Sequence, residues 1–166
     1  KPGTVLTQSG TYFKVFSQFR KTCYQYLDEH IPACLDTPQA QAALSINSDP
    51  IPTQVAGFAA IEPERQALWL AGETEAQRRL ALFSQAALAD YAEQRDLPAK
   101  AGTSQLSAYL VAGVISIRQC LHAALAANQG EFATGNQGVV TWISELLWRE
   151  FYVHILVGYP QVSRHR

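Results

Sequence analysis

The sequence has few of the features that would indicate a membrane or secreted protein. It contains no run of 18 apolar residues, the length that a transmembrane helix needs, and its start, KPGTVLTQSG, lacks the apolar centre of a signal peptide. Its three cysteines form no CxxC pair, which favours free thiols in a reduced, cytoplasmic protein. With a net charge of −1, no overall positive field indicates a nucleic-acid partner, although a local basic patch stays compatible with that total.

The motifs of familiar hydrolytic and metal-dependent enzymes are missing as well. The chain has no GxSxG and no HExxH, and its four histidines are scattered. It also lacks a P-loop lysine and the GxGxxG of dinucleotide-binding proteins. We therefore expect no metal site and no hydrolytic triad.

What the chain does have is the pattern of a folded, mainly helical domain. It is 48% hydrophobic and 16% charged, and its 166 residues correspond to about one domain. Strand signals are few. A first helix is predicted where aromatic and apolar residues recur every three or four positions, at Phe13, Phe16, Phe19, Cys23 and Tyr26.

A long connector is predicted after that helix. Residues 31–64 contain five prolines and no sustained period, so they read as a linker or a functional loop. Helical character resumes over 73–96 and breaks at LPAKAGT. A short helix closed by Gly113, a second one capped by Ser116 and a glycine-rich turn region over 129–138 are predicted to follow.

The segment TWISELLWREFYVHIL, residues 141–156, is predicted to be a core helix, because it is apolar nearly all round. Trp142, Glu145, Arg149 and Tyr152 share one face, and Trp148 flanks it. Glu145 and Arg149 have the spacing and order of a helical ion pair that is at least partly desolvated. Such a pair is either structural or a sign of a polar ligand beside the helix.

Three further features have a structural interpretation, and two of them also allow a functional one. Glu150 and His154 are interpreted as a second, structural pair. Each tryptophan of the core helix is either a large core residue or a platform for a planar ring, with core favoured for either alone. The stretch GTSQLS, residues 102–107, either caps a helix or binds phosphate at the helix start, with capping favoured.

Four stretches, taken in this order, resemble the DNA photolyase/cryptochrome flavoproteins, and within them the bacterial class I cyclobutane pyrimidine dimer (deoxyribodipyrimidine) photolyases. These stretches are PGTVLTQSGTYFKVFSQF, YAEQRDLPAKAGTSQLSAYLVAGVISIRQCLH, TWISELLWREFYVHI and YPQVSRHR. The chain departs from the family pattern at Gln105, where arginine is frequent, at Cys23, where tryptophan is frequent, and at Ser17-Gln18, which replaces a common Thr-Pro.

The resemblance implies that the chain is a fragment of a longer parent protein. It would comprise an interdomain helix and connector, residues 1–66, and the first half of a helical FAD-binding domain, residues 67–166. The α/β domain that holds an antenna pigment of folate or deazaflavin type, and the second half of the helical domain, would lie outside it.

The resemblance also implies a set of site residues. The flavin contacts would be Tyr91, Thr103, Ser104, Gln105, Leu106, Ser107, Trp142, Glu145 and Arg149. The DNA contacts would be Arg95, Glu145, Trp148 and Tyr152. Glu145 would be the catalytic residue, since it would reach both the flavin and the damaged bases, and Trp148 would lie against a dimer flipped out of the duplex, as in photolyases generally.

The implied activity is the splitting of pyrimidine dimers in UV-damaged DNA by light-driven electron donation from reduced FAD. The parent is expected to be monomeric, whereas the isolated fragment is expected to be inactive, with an uncovered apolar helix that invites self-association. Two alternatives stay open. One is a cryptochrome-type blue-light receptor, although Glu145 and Trp148 favour the repair enzyme because both would contact the dimer. The other is a helical interaction module that binds no flavin.

Overall fold

The structure, a computed structural model, describes residues 2–52 and 54–164. Across these residues it contains helices and no strand, so the prediction of a mainly α fold that matches a photolyase helical segment is confirmed. The helices are α1 (Phe16–Glu29), α2 (Pro63–Leu68), α3 (Glu73–Ala86), α4 (Tyr91–Gln94), α5 (Ser107–Ala112), α6 (Ile117–Ala127), α7 (Gln137–Gly158) and a 3-10 helix (Pro160–Arg164).

Helix α1 begins at Phe16, and its buried stripe differs from the predicted one. Phe19, Cys23 and Leu27, spaced four apart, are buried, whereas Tyr26 is 40% exposed. Phe13 is buried too, but it precedes the helix. The stripe therefore continues from Cys23 to Leu27 and not to Tyr26. A step of four residues lies closer to the roughly 3.6 residues of a helical turn than the step of three from Cys23 to Tyr26 does.

The predicted helix over 73–96 is two helices in the structure. Helix α3 ends at Ala86, where the N–H groups of Ala87 and Leu88 both donate to the carbonyl oxygen of Phe83, an ending typical of helix C-termini. Leu88 is then 1% exposed, in the core, and α4 begins at Tyr91. The burial of Leu88 offsets the free energy lost where the helix is interrupted. Helix propensity, a local property of the sequence, does not reveal this tertiary burial.

The next two helices have the ends that the sequence predicts. Helix α5 ends at Gly113, whose φ of 74° is left-handed. Helix α6 starts with a capping box, in which the Ser116 side chain accepts from the Gln119 N–H and the Gln119 side chain accepts from the Ser116 N–H.

Helix α7 is the centre of the fold and packs against α1, α4 and α6. Asn136 caps it by accepting from the N–H of Val139 at 3.0 Å. Its first half is buried, as predicted for a core helix, whereas its last turns are partly uncovered. Tyr152, Leu156 and Val157 are 61%, 50% and 48% exposed, since α1 and α6 cover the opposite face.

The predicted connector has no helix before α2 in its described residues, and its side chains at 33–52 and 54–62 are exposed. Its start touches α6, where Nε2 of His122 lies 2.8 Å from the carbonyl oxygen of Pro32. The division of the chain at residues 66 and 67 falls inside α2, and it stays a prediction.

Candidate functional site

The pairing of α4 with α7 depends on a close backbone approach. Gly138, in the first turn of α7, lies so near the carbonyl oxygens of Leu88 and Ala89 that a Cβ there would overlap both. A side chain at this position would push α7 away from the segment that leads into α4. The glycine thus allows residues of α4 to reach the polar face of α7.

The main polar contact of this site joins Arg95 and Glu145. Arg95 Nη1 donates to Glu145 Oε1 at 2.7 Å, and the two side chains are 30% and 35% exposed. This hydrogen bond raises the pKa of Arg95 and outweighs desolvation, which lowers it. The structure therefore brings together two predicted site residues that lie 50 positions apart.

The predicted ion pair between Glu145 and Arg149 is wrong. The Glu145 carboxylate turns to Arg95, while Arg149 is exposed and donates from Nη2 to the carbonyl oxygen of Leu110 at 3.2 Å. Arg149 is thus neither desolvated nor bound to Glu145. Its hydrogen bond instead ties α7 to α5.

The predicted pair of Glu150 and His154 is wrong as well. Nε2 of His154 accepts from the backbone N–H of Phe13 at 2.8 Å, and the ring is 3% exposed. Burial lowers the pKa of His154, which favours the neutral imidazole that this accepting role requires. His154 therefore anchors the segment before α1 to α7.

Tyr91 lies under the guanidinium of Arg95. The Arg95 Cζ is 5.5 Å from the centre of the Tyr91 ring, within the range of a cation–π interaction. Tyr91 meets Phe83 edge-on at 5.8 Å, and Phe83 in turn lies 5.1 Å from Trp142. Burial raises the pKa of Tyr91, against the opposing effect of Arg95, so the phenol is a neutral hydrogen-bonding group at physiological pH.

The two tryptophans of α7 have different surroundings. Trp142 is 4% exposed, and it belongs to the core, as favoured from the sequence. Trp148 is half-buried and stacks on Phe16, with ring centres 3.7 Å apart and planes inclined by 14°. One face of the Trp148 indole is therefore covered by this chain, and Tyr152 beside it, at 5.7 Å, is exposed.

The turn from Thr103 to Ser107 does not cap α5 with a side chain, so the favoured capping interpretation is wrong. The residue that precedes α5 is Leu106, which is 1% exposed and serves as an apolar anchor. Gln105 has a left-handed φ of 51°. Gly102 holds the turn against α4, since a Cβ there would lie 2.5 Å from Cβ of Gln94.

A charged cluster beside this turn was not predicted from the sequence. The Glu75 carboxylate, 8% exposed, accepts hydrogen bonds from Arg78 and Arg79, and these two bonds lower its pKa to about 2. Arg79 also donates to the side chain of Gln105 at 3.1 Å. The spacing of Glu75 from the two arginines, three and four positions, was the available signal.

A separate cavity of about 600 Å³ lies between α1, α6 and α7. Its walls include Phe19, Cys23, Leu121, Leu147 and Glu150, and none of the predicted site residues lines it. The predicted site is instead formed by α4, the polar face of α7 and the turn before α5. Within the described parts of the chain, no three histidine, cysteine, aspartate or glutamate side chains are grouped so that they could hold a metal ion.

In the part of the chain that the structure describes, no helix has both the length and the apolar character needed to cross a membrane.

The arrangement of these helices is that of one segment of a photolyase. The crystal structure of a bacterial class III photolyase from Agrobacterium tumefaciens matches with a TM-score of 0.76 and 28% identity, over 97% of this chain and 33% of that one.

Curated relatives lead to the same family. The deoxyribodipyrimidine photo-lyase of Escherichia coli K12 is 37% identical over 99% of this chain, and that of Salmonella typhimurium is 36% identical over 99%. The fungal enzyme of Neurospora crassa is 33% identical over 99% of this chain and 29% of its own length. No protein-family model matches. The resemblance to DNA photolyases is therefore confirmed, and the chain spans about a third of the length of the curated relatives that it matches.

Proposed function

We propose that this chain is part of a longer light-dependent DNA repair enzyme, a deoxyribodipyrimidine photo-lyase that splits cyclobutane pyrimidine dimers. The observation that carries the proposal is 37% identity to such an enzyme across 99% of the chain. Reduced FAD, when bound, supplies the electron that light transfers to the dimer. The protein contributes position, exclusion of water and electrostatics.

Glu145 is the residue proposed to contact the damaged bases, with a further contact to the flavin. Its carboxylate is 35% exposed on α7, and a hydrogen bond from a dimer to this charged group would be charge-assisted and strong. Arg95, which binds this carboxylate in the free protein, is proposed to contact a DNA phosphate. Trp148 and the exposed Tyr152 would offer aromatic surface to the flipped-out bases.

The residues proposed to hold FAD fit that cofactor to different degrees. Thr103 and Gln105 are exposed, and α5 begins without a side-chain cap, so the turn leaves polar groups for a ligand. Tyr91 of α4 has a half-buried phenol, and Arg149 of α7 has an exposed guanidinium. Ser104, Leu106 and Ser107 complete the turn. Trp142, at 4% exposure, would support the pocket from the core side.

The parent protein is proposed to have further domains and a second pigment. The parent is proposed to be a monomeric, cytoplasmic class I enzyme with a folate or deazaflavin antenna pigment in a preceding α/β domain. Residues 1–66 would form the interdomain helix and connector, and residues 67–166 the first half of the FAD-binding domain. UV-damaged DNA would be its substrate.

The test uses the purified parent protein. We expect absorbance in the near-UV and blue from bound flavin, and loss of dimers from UV-irradiated DNA under light but not in the dark. A coloured protein without repair would indicate a cryptochrome-type receptor. A colourless protein that binds no added FAD would overturn the flavin assignment and leave a helical interaction module.

A further inference from the structure

Arg79 of α3 connects three separate parts of the chain through one guanidinium group. Its Nε donates to Glu75 Oε1 at 2.7 Å, its Nη2 to the carbonyl oxygen of Leu68 at 2.7 Å, and its Nη1 to Gln105 Oε1 at 3.1 Å. The side chain is 15% exposed. A guanidinium has a planar, rigid set of donors, so contacts in three directions fix its position.

Two aromatic rings hold the same guanidinium. Arg79 Cζ lies 5.1 Å from the centre of the Trp69 ring and 5.4 Å from that of Tyr109. Tyr109 is a buried residue of α5, and its hydroxyl donates to the carbonyl oxygen of Leu70 at 2.7 Å. Arg79 therefore contacts the helix that follows the turn as well as the turn itself.

The backbone of the turn requires such support. Gln105 has a φ of 51°, in the left-handed region that residues other than glycine seldom adopt. Leu106, at 1% exposure, fixes the chain on one side, and the hydrogen bond from Arg79 fixes the Gln105 side chain on the other. The turn has no charged residue of its own between Gly102 and Ser107.

The neighbouring arginine provides a natural comparison. Arg78 binds the same Glu75 carboxylate, through hydrogen bonds of 2.7 and 2.8 Å, but its side chain is 56% exposed and both of these bonds stay within α3. Two guanidinium groups and one carboxylate leave the cluster with one positive charge in excess. Of these two guanidinium groups, that of Arg79 donates to Gln105 and so brings its positive charge to the turn.

We propose that Arg79 is a positioning residue for the flavin, which holds the turn from Thr103 to Ser107 in its binding geometry and supplies the turn with positive charge for the flavin's phosphate groups. The inference rests on the proposed function, since it deepens the role given there to the turn. The Arg79 guanidinium acts through Gln105 and through the field at the turn.

The experiment measures flavin affinity in the parent protein for two ligands, FAD and riboflavin, of which riboflavin has no phosphate. We expect Arg79→Gln to weaken FAD binding about tenfold or more, as for the loss of a charge-assisted hydrogen bond, and to weaken riboflavin binding much less. Arg78→Gln, which removes a bond to the same carboxylate, is the matched control and should leave the FAD affinity within about twofold. Arg79→Lys, which keeps the charge but not the fork, should lie between.

A double-mutant cycle with Gln105→Ala separates this role from general stability. Coupling between the two positions in FAD affinity supports the proposal, and additive losses contradict it. Equal losses for Arg79→Gln and Arg78→Gln, or for FAD and riboflavin, would overturn it while leaving the proposed function intact. If Arg79→Gln does not fold, Arg79→Lys and Gln105→Ala carry the same comparison. A parent protein that binds no flavin would overturn the proposed function and this inference together.

Discussion

Arg95 and Glu145 form a hydrogen-bonded ion pair of 2.7 Å across the α4–α7 contact. Both residues have proposed roles in DNA binding, and in the free protein their side chains bind each other. Under the proposed function, a dimer that binds the Glu145 carboxylate would share that carboxylate with Arg95. The Arg95 guanidinium has five N–H donors, so under the proposed function it would have donors left for a DNA phosphate on damaged and undamaged duplexes alike.

Glu145→Ala in the parent protein is expected to lower the repair yield per photon several-fold while flavin stays bound. The reason is the loss of a charge-assisted hydrogen bond to the dimer. Photon-counted repair assays with flavin absorbance measure both quantities. Glu150→Ala is the matched control, since Glu150 lies on the same helix but lines the separate cavity. An unchanged yield in Glu145→Ala would contradict the assigned role.

Trp148→Ala is expected to weaken binding to damaged DNA by about five- to a hundredfold more than binding to undamaged DNA. Base stacking contributes about 1–3 kcal/mol, and only the flipped-out bases would reach this indole. Fluorescence titrations with the two duplexes measure the difference. Since Trp148 also stacks on Phe16, Phe16→Leu serves as the control for lost packing. Equal losses on both DNAs would mean that Trp148 is only a packing residue.

Arg95→Ala should show the opposite pattern, with a similar loss on both duplexes. A phosphate contact is independent of sequence and damage, and removing one lowers the salt dependence of binding by about one unit of slope. Affinity measured over a series of salt concentrations tests this. Arg95→Lys, which keeps the charge, should recover most of the slope. A loss confined to damaged DNA would instead place Arg95 at the lesion.

Glu75 is expected to make the fold sensitive to acid. Its hydrogen bonds from Arg78 and Arg79 lower its pKa from 4.5 to about 2 in the folded state, so the folded state favours the charged carboxylate. The resulting stability is present above pH 4.5 and is lost as the pH falls towards 2. Urea unfolding at several pH values should show Glu75→Gln to be less stable at neutral pH and less dependent on pH in this range. Parallel pH profiles for the two proteins would contradict the assignment.

Of the three thiols, only Cys34 is expected to react rapidly in the native chain. Burial, with a further contribution from Glu150, raises the pKa of Cys23 to about 12, and burial raises that of Cys120 to about 11, whereas Cys34 is exposed. Labelling with a maleimide at pH 7.5, followed by peptide mapping, should find Cys34 alone modified, and all three after denaturation. Fast modification of Cys23 or Cys120 would show that the packing of α1 or α6 opens readily.

The sequence by itself determined the features that depend on neighbours along the chain. Gly113 and the Ser116–Gln119 capping box set the end of α5 and the start of α6 through contacts within four residues. The proline-rich connector and the resemblance to photolyases were also readable, since both are properties of the residue order.

Only the tertiary structure decided which polar groups meet. Periodicity paired Glu145 with Arg149 and Glu150 with His154 because residues four apart share a helix face. In the folded chain, Glu145 binds the guanidinium of Arg95, and His154 is buried and accepts from the backbone N–H of Phe13. Likewise, Arg79 reaches Gln105 across 26 residues. A local pattern gives the orientation of a side chain on its own helix, but its partner depends on which helices pack together, and here that is fixed by apolar burial around α7.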